Sequence, residues 1–174
     1  VTNIDADHLE TYGGNFDRLK QTFVEFIHQL PFYGLAVLCV DDPVVAELVP
    51  DFARPLRTYG TAADAEVRAE DIRIDGGGSR FLLHLPETEG PTDVHLNLPG
   101  AHNVLNALAA AAVGHELGVS AEAIGRALSQ FAGIGRRCER VGTLPLEGGE
   151  PAILIDDYGH HPRELEVTLD AIRQ

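Results

Sequence analysis

The chain has 174 residues, of which 44% are hydrophobic, a length and composition that suit one globular domain and exclude an extended disordered chain. Its 27 acidic residues outnumber 13 basic ones, and the resulting net charge of −14 would repel a phosphate backbone, which argues against nucleic acid as a partner. No apolar run approaches the roughly 20 residues that span a bilayer, and no signal peptide opens the chain. We therefore expect a cytoplasmic protein that does not enter membranes.

The first third of the sequence predicts strands that alternate with helices. Apolar residues recur every three or four positions from Phe16 to Leu30, which indicates an amphipathic helix that ends before Pro31. The apolar run from Leu35 to Val40 suits a strand buried on both faces, and Asp41-Asp42-Pro43 then opens a short helix. Val1 to Ile4 resembles the tail of another buried strand. We therefore predict an α/β fold with a mostly parallel sheet flanked by helices.

The middle of the chain changes character. Val67 to Ile74 alternates apolar and charged residues, the glycine-rich segment Asp75 to Ser79 is a turn, and Phe81 to Leu85 and Val94 to Leu98 are again typical of strands. This pattern predicts a small antiparallel β meander with one solvated face, packed beside the main sheet.

Two helices, a strand and a polar loop complete the pattern. An alanine-rich helix runs from about Asn103 to Leu117, and Ser120 is a suitable N-cap for a second helix. Ile153-Leu154-Ile155 predicts a strand, and Asp156 to Pro162 forms a polar loop before a further helix. Because ligands in open α/β sheets bind beyond the carboxyl ends of the strands, this loop is the first candidate site.

The loop offers several kinds of chemistry. Asp157 is placed to accept hydrogen bonds from ribose hydroxyls, Tyr158 to cover a flat group, and His160 and His161 to bind an anionic substrate or a cation. Together with Asp156, these residues also allow a small metallohydrolase. The simpler alternative is that the acids stabilise the start of the following helix and the histidines are solvated.

A second polar cluster lies near the start of the chain. Asn3, Asp5, Asp7 and His8 follow the predicted strand tail within a few residues of one another. Carboxylate oxygens and a neutral imidazole are ligands for divalent metals, although a structural metal site normally has a fuller ligand set. A helix cap or a solvated loop is the alternative.

Two further motifs suit nucleotide binding. Asn103 and Asn106 stand three residues apart on one helix face, where carboxamides can bind the edge of a base, although Asn103 alone would also serve as a cap. Arg136-Arg137 follows a glycine-flanked break and can bind phosphate in the fixed geometry of the guanidinium; the alternative is a surface ion pair with Glu139.

Several catalytic signatures are missing from the sequence. It has no Gly-x-x-x-x-Gly-Lys-Ser/Thr loop and no Gly-x-Ser-x-Gly elbow, and Cys39 and Cys138 lack metal-site spacing. A self-contained kinase, dinucleotide dehydrogenase or serine hydrolase is therefore poorly supported.

Seven segments, in the order in which they occur, resemble the Mur ligase family and, within it, the branch that adds L-alanine. They are Val1-Thr-Asn-Ile-Asp-Ala-Asp-His8, Thr11-Tyr-Gly-Gly14, Leu30-Pro-Phe-Tyr-Gly34, Val40-Asp-Asp-Pro43, His102-Asn-Val-Leu-Asn106, Gly135-Arg-Arg137 and Asp156-Asp-Tyr-Gly-His-His-Pro162.

The resemblance implies part of a three-domain enzyme. Residues 1–162 would be the C-terminal part of the central ATP-binding domain, without its phosphate-binding loop, and residues 163–174 the start of the junction to a C-terminal domain. The parent enzyme would use ATP and Mg²⁺ to join L-alanine to UDP-N-acetylmuramate through an acyl phosphate, in peptidoglycan synthesis. We expect the chain alone to be inactive. The alternative is a freestanding nucleotide-binding or structural module without catalysis.

The resemblance also assigns roles to single residues. It implies a magnesium ligand at His8, and Asn3 and Asp7 lining the same pocket on the substrate side. It implies contacts to the nucleotide from His102, Asn103, Asn106, Arg137, Asp157 and Tyr158. It implies that Arg137 and His160 are catalytic, and that Tyr158 and His160 also contact the muramate substrate. An exposed sheet edge would further allow the chain to self-associate.

Overall fold

The computed structural model describes residues 1–75 and 77–173. Gly76, in the predicted glycine-rich turn, and Gln174 lie outside the described residues. In the described part, the strands are β1 (Ala36–Cys39), β2 (Leu56–Gly60), β3 (Val67–Asp75), β4 (Gly78–His84), β5 (Thr92–Leu96), β6 (Glu139–Leu144) and β7 (Ala152–Asp156). The α-helices there are α1 (Phe16–His28), α2 (Pro43–Leu48), α3 (Ala101–Glu116), α4 (Ala121–Gln130) and α5 (Pro162–Arg173).

The first five strands form one mixed sheet in the order β1-β2-β3-β4-β5. Strands β1, β2 and β3 run parallel, and β3, β4 and β5 are antiparallel, so the predicted fold class and the meander are both confirmed. The meander does not form a separate layer beside the main sheet, because Tyr59 of β2 pairs with Val67 of β3. Its alternating side chains keep one face buried and thereby extend the same core.

The segment Val1 to Ile4 runs alongside β1, as predicted for a strand tail. The amino group of Val1 donates to the carbonyl of Val37 at 2.6 Å, and the amide of Cys39 donates to the carbonyl of Val1 at 3.0 Å. This is the hydrogen-bond pattern of a parallel pair. The polar loop at residues 5–8 therefore emerges near the carboxyl end of β1.

Helices cover the sheet and build two apolar cores. One core lies between the sheet and helices α3 and α4, and the other surrounds β1 with α1 and α2. Buried alanines such as Ala107, Ala111 and Ala112 let α3 lie close to the sheet. Side-chain caps define where helices begin: Asn15, Asp42 and Ser120 each accept a hydrogen bond from the backbone N–H three residues later. None of the described helices has the length and apolar character needed to cross a membrane.

The C-terminal strand lies outside the main sheet. The strand predicted at Ile153-Leu154-Ile155 is present as β7, and it pairs antiparallel with β6 in a separate two-stranded sheet. Ile153 and Leu154 are 57% and 46% exposed, so most of this apolar run faces solvent. No sequence pattern predicted β6.

Candidate functional site

The loop at residues 157–161 contacts two of the other polar segments that the sequence singled out, the N-terminal loop 5–8 and the link 135–138 before β6. The third segment, the start of α3 at residues 100–103, is close enough for Asp157 to influence His102 electrostatically. Residues from both ends of the chain therefore meet at this loop.

Asp7 connects the N-terminal loop to the C-terminal one. Its Oδ1 accepts a hydrogen bond from the backbone N–H of His8 at 2.7 Å, whereas its Oδ2 lies 3.5 Å from His8 Nε2 and 4.0 Å from His161 Nε2. His8 adopts the left-handed conformation with φ of 53° at the start of a short 3₁₀ helix, Leu9–Tyr12, and its side chain is 81% exposed. Asp7 Oδ2 and the imidazole of His8 thus lie beside each other and face solvent, where both could act as metal ligands.

The described residues contain no group of three or more His, Cys, Asp or Glu side chains arranged around one point for a metal. The metallohydrolase hypothesis, which needs such a group from the aspartates and histidines of the 156–161 segment, receives no support from this geometry. Asn3, another member of the N-terminal cluster, is exposed in the segment just before this loop.

Gly100 allows the start of α3 to approach α5. Its φ is +98°, and a Cβ at this position would lie 2.8 Å from Cε1 of His102 and 3.0 Å from Cβ of Ala171. His102 is half-buried in the resulting contact. Burial lowers the pKa of His102, the nearby Asp157 carboxylate opposes this shift, and the Arg137 guanidinium adds to it. His102, Asp157 and Arg137, which the sequence analysis assigned to one site, therefore affect one another electrostatically.

The two asparagines of α3 differ in their surroundings. Nδ2 of Asn103 donates to the carbonyl of Pro99 at 2.7 Å, which ties the helix start to the preceding loop. The side chain of Asn106 is exposed on the same helix face. Asn106 therefore has the more accessible carboxamide of the pair.

Asp157 closes its own loop. Its Oδ2 accepts a hydrogen bond from the backbone N–H of Cys138 at 2.8 Å and its Oδ1 one from Gly159 at 2.7 Å. A Cβ at Gly159 would lie only 2.7 Å from that same Oδ1, so glycine permits the close approach. The backbone N–H of Tyr158 also donates to the carbonyl of Arg136 at 2.8 Å. Two hydrogen bonds thus join the loop to residues 136–138, and the third, from Gly159 to Asp157, closes the loop on itself.

A ladder of planar groups lies on the surface of this junction. The guanidinium of Arg136 lies 4.9 Å from the ring centre of Tyr158, and that ring packs edge-on against His160 at 5.4 Å. Arg136 Nε also lies 3.7 Å from Asp156. The expected alternative, an ion pair between the arginines and Glu139, takes a different form: Glu139 accepts a hydrogen bond from the backbone N–H of Arg136.

Glu164 belongs to the site but was not singled out from the sequence. Its Oε2 accepts hydrogen bonds from the backbone N–H groups of His160 at 3.1 Å and His161 at 3.3 Å, and its Oε1 lies 3.6 Å from Nη1 of Arg137. The two backbone donors, followed by the charges of Arg137 and His160, lower the pKa of Glu164. The available signal was an acidic residue in the first turn of a helix that follows a polar loop.

The site is an open surface. Two surface cavities, of about 210 and 350 Å³, lie along β4 and β5 and between β5 and α4, and none of the predicted site residues lines them. The assembled groups face solvent at the junction between the sheet and the C-terminal segment. Such a surface can bind an extended polar molecule along several loops. Arg136 and Arg137 supply the positive charges of the surface, and Asp7 and Asp157 supply the negative ones.

The mixed α/β sheet and its helices belong to a known class of proteins. Residues 1–114 match the Mur ligase middle domain, and the chain belongs to the Mur ligase family. This confirms the resemblance seen in the sequence.

Individual members of the family show which ligases this chain is similar to. A UDP-N-acetylmuramate–L-alanine ligase from Paracidovorax citrulli (strain AAC00-1) is 54% identical over 175 residues, covering 99% of this chain and 37% of the relative. MurF from Acinetobacter baumannii superposes with a TM-score of 0.83 at 28% identity, covering 99% of this chain and 36% of MurF. The UDP-N-acetylmuramate-alanine ligase MurC from Thermotoga maritima has a TM-score of 0.74 at 26% identity and covers 99% and 37%. The chain therefore spans little more than a third of the length of these relatives.

Proposed function

We propose that this chain is part of an ATP-dependent ligase that joins L-alanine to UDP-N-acetylmuramate in peptidoglycan synthesis. The observation that carries the proposal is the 54% identity to a ligase of that name across 99% of the chain. The approach of Asp7 to His161 and the electrostatic influence of Asp157 and Arg137 on His102 support it, because residues from both ends of the chain meet there. The proposal implies that the enzyme works in the cytoplasm, where ATP is available.

The reaction we propose has two steps. The carboxylate of the muramate attacks the γ-phosphorus of ATP, which forms an acyl phosphate and releases ADP. The amino group of L-alanine then attacks the acyl carbon, which forms the amide and expels inorganic phosphate. Both steps move negative charge between oxygens, so positioning and electrostatic stabilisation would supply most of the rate enhancement.

Arg137 is the proposed cation for the transferred phosphate. Its side chain is 55% exposed and only Nη1 lies near Glu164, so the rest of the guanidinium is open to a ligand. His160 would contact the muramate next to the ring of Tyr158. The exposed carboxamide of Asn106 would bind adenine, with Asn103 and His102 beside it. Asp157 would use the lone pairs that its two backbone contacts leave free to accept ribose hydroxyls.

The donor set at loop 5–8 fits a magnesium ion only as a partial shell. Asp7 Oδ2 accepts no backbone hydrogen bond and faces the imidazole of His8, so these two residues would hold the ion with water and phosphate oxygens completing the shell. Asn3 would line the same pocket. Bound magnesium would supply charge neutralisation for the phosphate groups.

Alanine-dependent release of phosphate by the full-length enzyme tests the proposal. Release that requires ATP, UDP-N-acetylmuramate and L-alanine together supports it, and release that ignores L-alanine contradicts it. We expect the isolated 174-residue chain to show no turnover, since a Gly-rich lysine loop is absent from its sequence. Turnover by the isolated chain would contradict that part of the proposal.

The metal role has its own test in the full-length enzyme. His8→Ala should raise the magnesium concentration needed for half-maximal rate by about tenfold, because removing a ligand or one of its partners typically costs 10- to 100-fold in affinity. His95→Ala, which removes an exposed imidazole from β5, is the matched control and should leave the requirement unchanged. An unchanged requirement in His8→Ala would exclude His8 as a ligand.

We also propose that the chain self-associates through the β6–β7 hairpin. In the described residues neither strand pairs with a further strand, and Ile153 and Leu154 of β7 are exposed. Open edges with apolar side chains favour pairing between copies.

A further inference from the structure

Glu164 divides its two carboxylate oxygens between two tasks. Oε2 accepts the backbone N–H groups of His160 and His161, and thereby fixes the start of α5. Oε1 is turned toward the link before β6, where it lies 3.6 Å from Nη1 of Arg137. A carboxylate that is already held by two backbone donors presents its second oxygen in a fixed place.

We infer that Glu164 is a positioning residue that holds the guanidinium of Arg137 in its reactive orientation. The inference rests on the proposed function, in which Arg137 contacts the transferred phosphate. Arg137 has four rotatable side-chain bonds and is 55% exposed, so it needs an anchor to keep one orientation. Within the described residues, Glu164 is the ion-pair partner that lies within 4.0 Å of it.

Stability alone does not account for this contact. Ion pairs between exposed side chains contribute little to folding, because solvent screens them and ordering the side chains costs entropy. The contact instead couples two segments of the chain. It joins Arg137, in the link before β6, to the same α5 terminus that carries His160 and His161. A small displacement of a catalytic group lowers the rate far more than it lowers stability.

The alternative is that Glu164 only caps α5, as an acidic residue in a first turn often does. Glu164→Gln separates the two roles. The amide oxygen of glutamine still accepts the two backbone N–H groups, whereas its NH₂ group replaces the charge that faces Arg137 and offers only donors to a cation. The variant therefore preserves the cap and removes the anchor.

Steady-state kinetics of the full-length enzyme test the inference. We expect Glu164→Gln to lower kcat for alanine-dependent phosphate release by about tenfold, with KM for ATP and for L-alanine nearly unchanged and the thermal midpoint preserved. Glu166→Gln is the matched control on the same helix and should retain the wild-type kcat, since among the described residues Glu166 pairs only with the exposed Arg163, at 3.2 Å. A wild-type kcat in Glu164→Gln would overturn the inference.

A double-mutant cycle connects the effect to Arg137. If Glu164 acts by holding the arginine fork, the kcat loss from Glu164→Gln should largely disappear in an Arg137→Lys background, because lysine lacks the geometry that the carboxylate holds. The same tenfold loss in both backgrounds would overturn the inference. Failure of the proposed function is distinguishable, because it would appear in the wild-type enzyme as phosphate release that does not depend on L-alanine.

Discussion

At the scale of single residues, Asp157 has two roles, one in ligand binding and one in folding, and each depends on different hydrogen bonds. The proposed ribose contact belongs to ligand binding, whereas the two backbone hydrogen bonds to Cys138 and Gly159 belong to folding of the loop. Asp157→Asn keeps one acceptor oxygen and replaces the other by a donor, so one backbone N–H loses its partner. We expect the variant to lose about 1–2 kcal/mol of stability in urea unfolding, since a half-buried amide is left unpaired.

Asp156→Asn is the matched control for that measurement. Asp156 is adjacent in sequence, but in the described part of the chain its carboxylate pairs only with the exposed Arg136, at 3.7 Å. Exposed ion pairs of this kind contribute at most about 1 kcal/mol. Equal losses in the two variants would show that the backbone contacts of Asp157 do not stabilise the loop.

His102 gives the residue-scale prediction for pH. Burial lowers its pKa in the folded protein below the ordinary value of 6.5, so the unfolded chain takes up a proton at this position at higher pH than the folded chain does. The contribution of His102 to the free energy of unfolding is therefore fully present above pH 6.5, where the side chain is neutral in both states. It is lost as the pH falls from 6.5 through the lowered pKa of the folded state. His102→Asn should therefore show a smaller loss of stability than wild type between pH 7 and pH 5, measured by urea unfolding at each pH. If the variant lost as much stability over this pH range as wild type, His102 would not have a lowered pKa in the folded protein.

At the scale of elements, the start of α3 depends on a position without a side chain. Gly100 combines a φ of +98° with two neighbours inside ordinary contact distance, whereas Gly118, past the end of the same helix, has φ of +77° and nothing near its missing Cβ. Gly118→Ala should therefore cost about 1 kcal/mol from backbone strain. Gly100→Ala should cost about 1–3 kcal/mol more, because its methyl group also displaces His102 or α5. Urea unfolding of both variants checks the difference, and equal losses would show that the contact to Ala171 is unimportant.

The β6–β7 hairpin is the second element-scale case. In the described residues it is a two-stranded sheet with exposed apolar side chains, and such hairpins are marginal when nothing packs on them. We expect amides of β6 and β7 to exchange with deuterium well before those of β3 and β4, whose side chains reach the main core. Hydrogen exchange read by mass spectrometry measures this. Equal protection in both pairs of strands would contradict the prediction.

Sequence patterns predicted most elements because those elements bury one face. The three- to four-residue periodicity of α1 and the continuous apolar run of β1 follow directly from burial against the sheet. Strand β6 was missed because the segment Glu139–Leu144 is mostly exposed and carries no apolar alternation. The pairing of β7 with β6 could not be predicted either, because an apolar run indicates a strand but does not specify the sheet it joins.

At the scale of the whole molecule, the sequence could predict which residues belong to the candidate site but not which of them contact one another. The sequence identified loop 157–161 as a centre of chemistry, and the structure connects it to the other polar segments. The approach of Asp7 to His161 joins opposite ends of the chain, and no local pattern encodes it. Glu164 was missed because an acidic residue in the first turn of a helix usually indicates a cap. Its proximity to Arg137 arises from the tertiary structure, which brings the guanidinium beside the second carboxylate oxygen.

Self-association is the prediction that involves the whole molecule. Two copies that meet through β6–β7 would bury the 57% exposed side chain of Ile153, but each carries a net charge of −14, so repulsion opposes the contact. Added salt screens that repulsion, and we therefore expect sedimentation velocity to show stronger association at 0.5 M than at 0.05 M NaCl.

Ile153→Thr keeps a β-branched residue but loses apolar area, and should weaken association by about tenfold. Leu117→Gln removes a 77% exposed apolar side chain beyond α3 and should leave association unchanged. If both variants weakened association equally, the contact would not be specific to the hairpin, and a monomer at every salt concentration would exclude it.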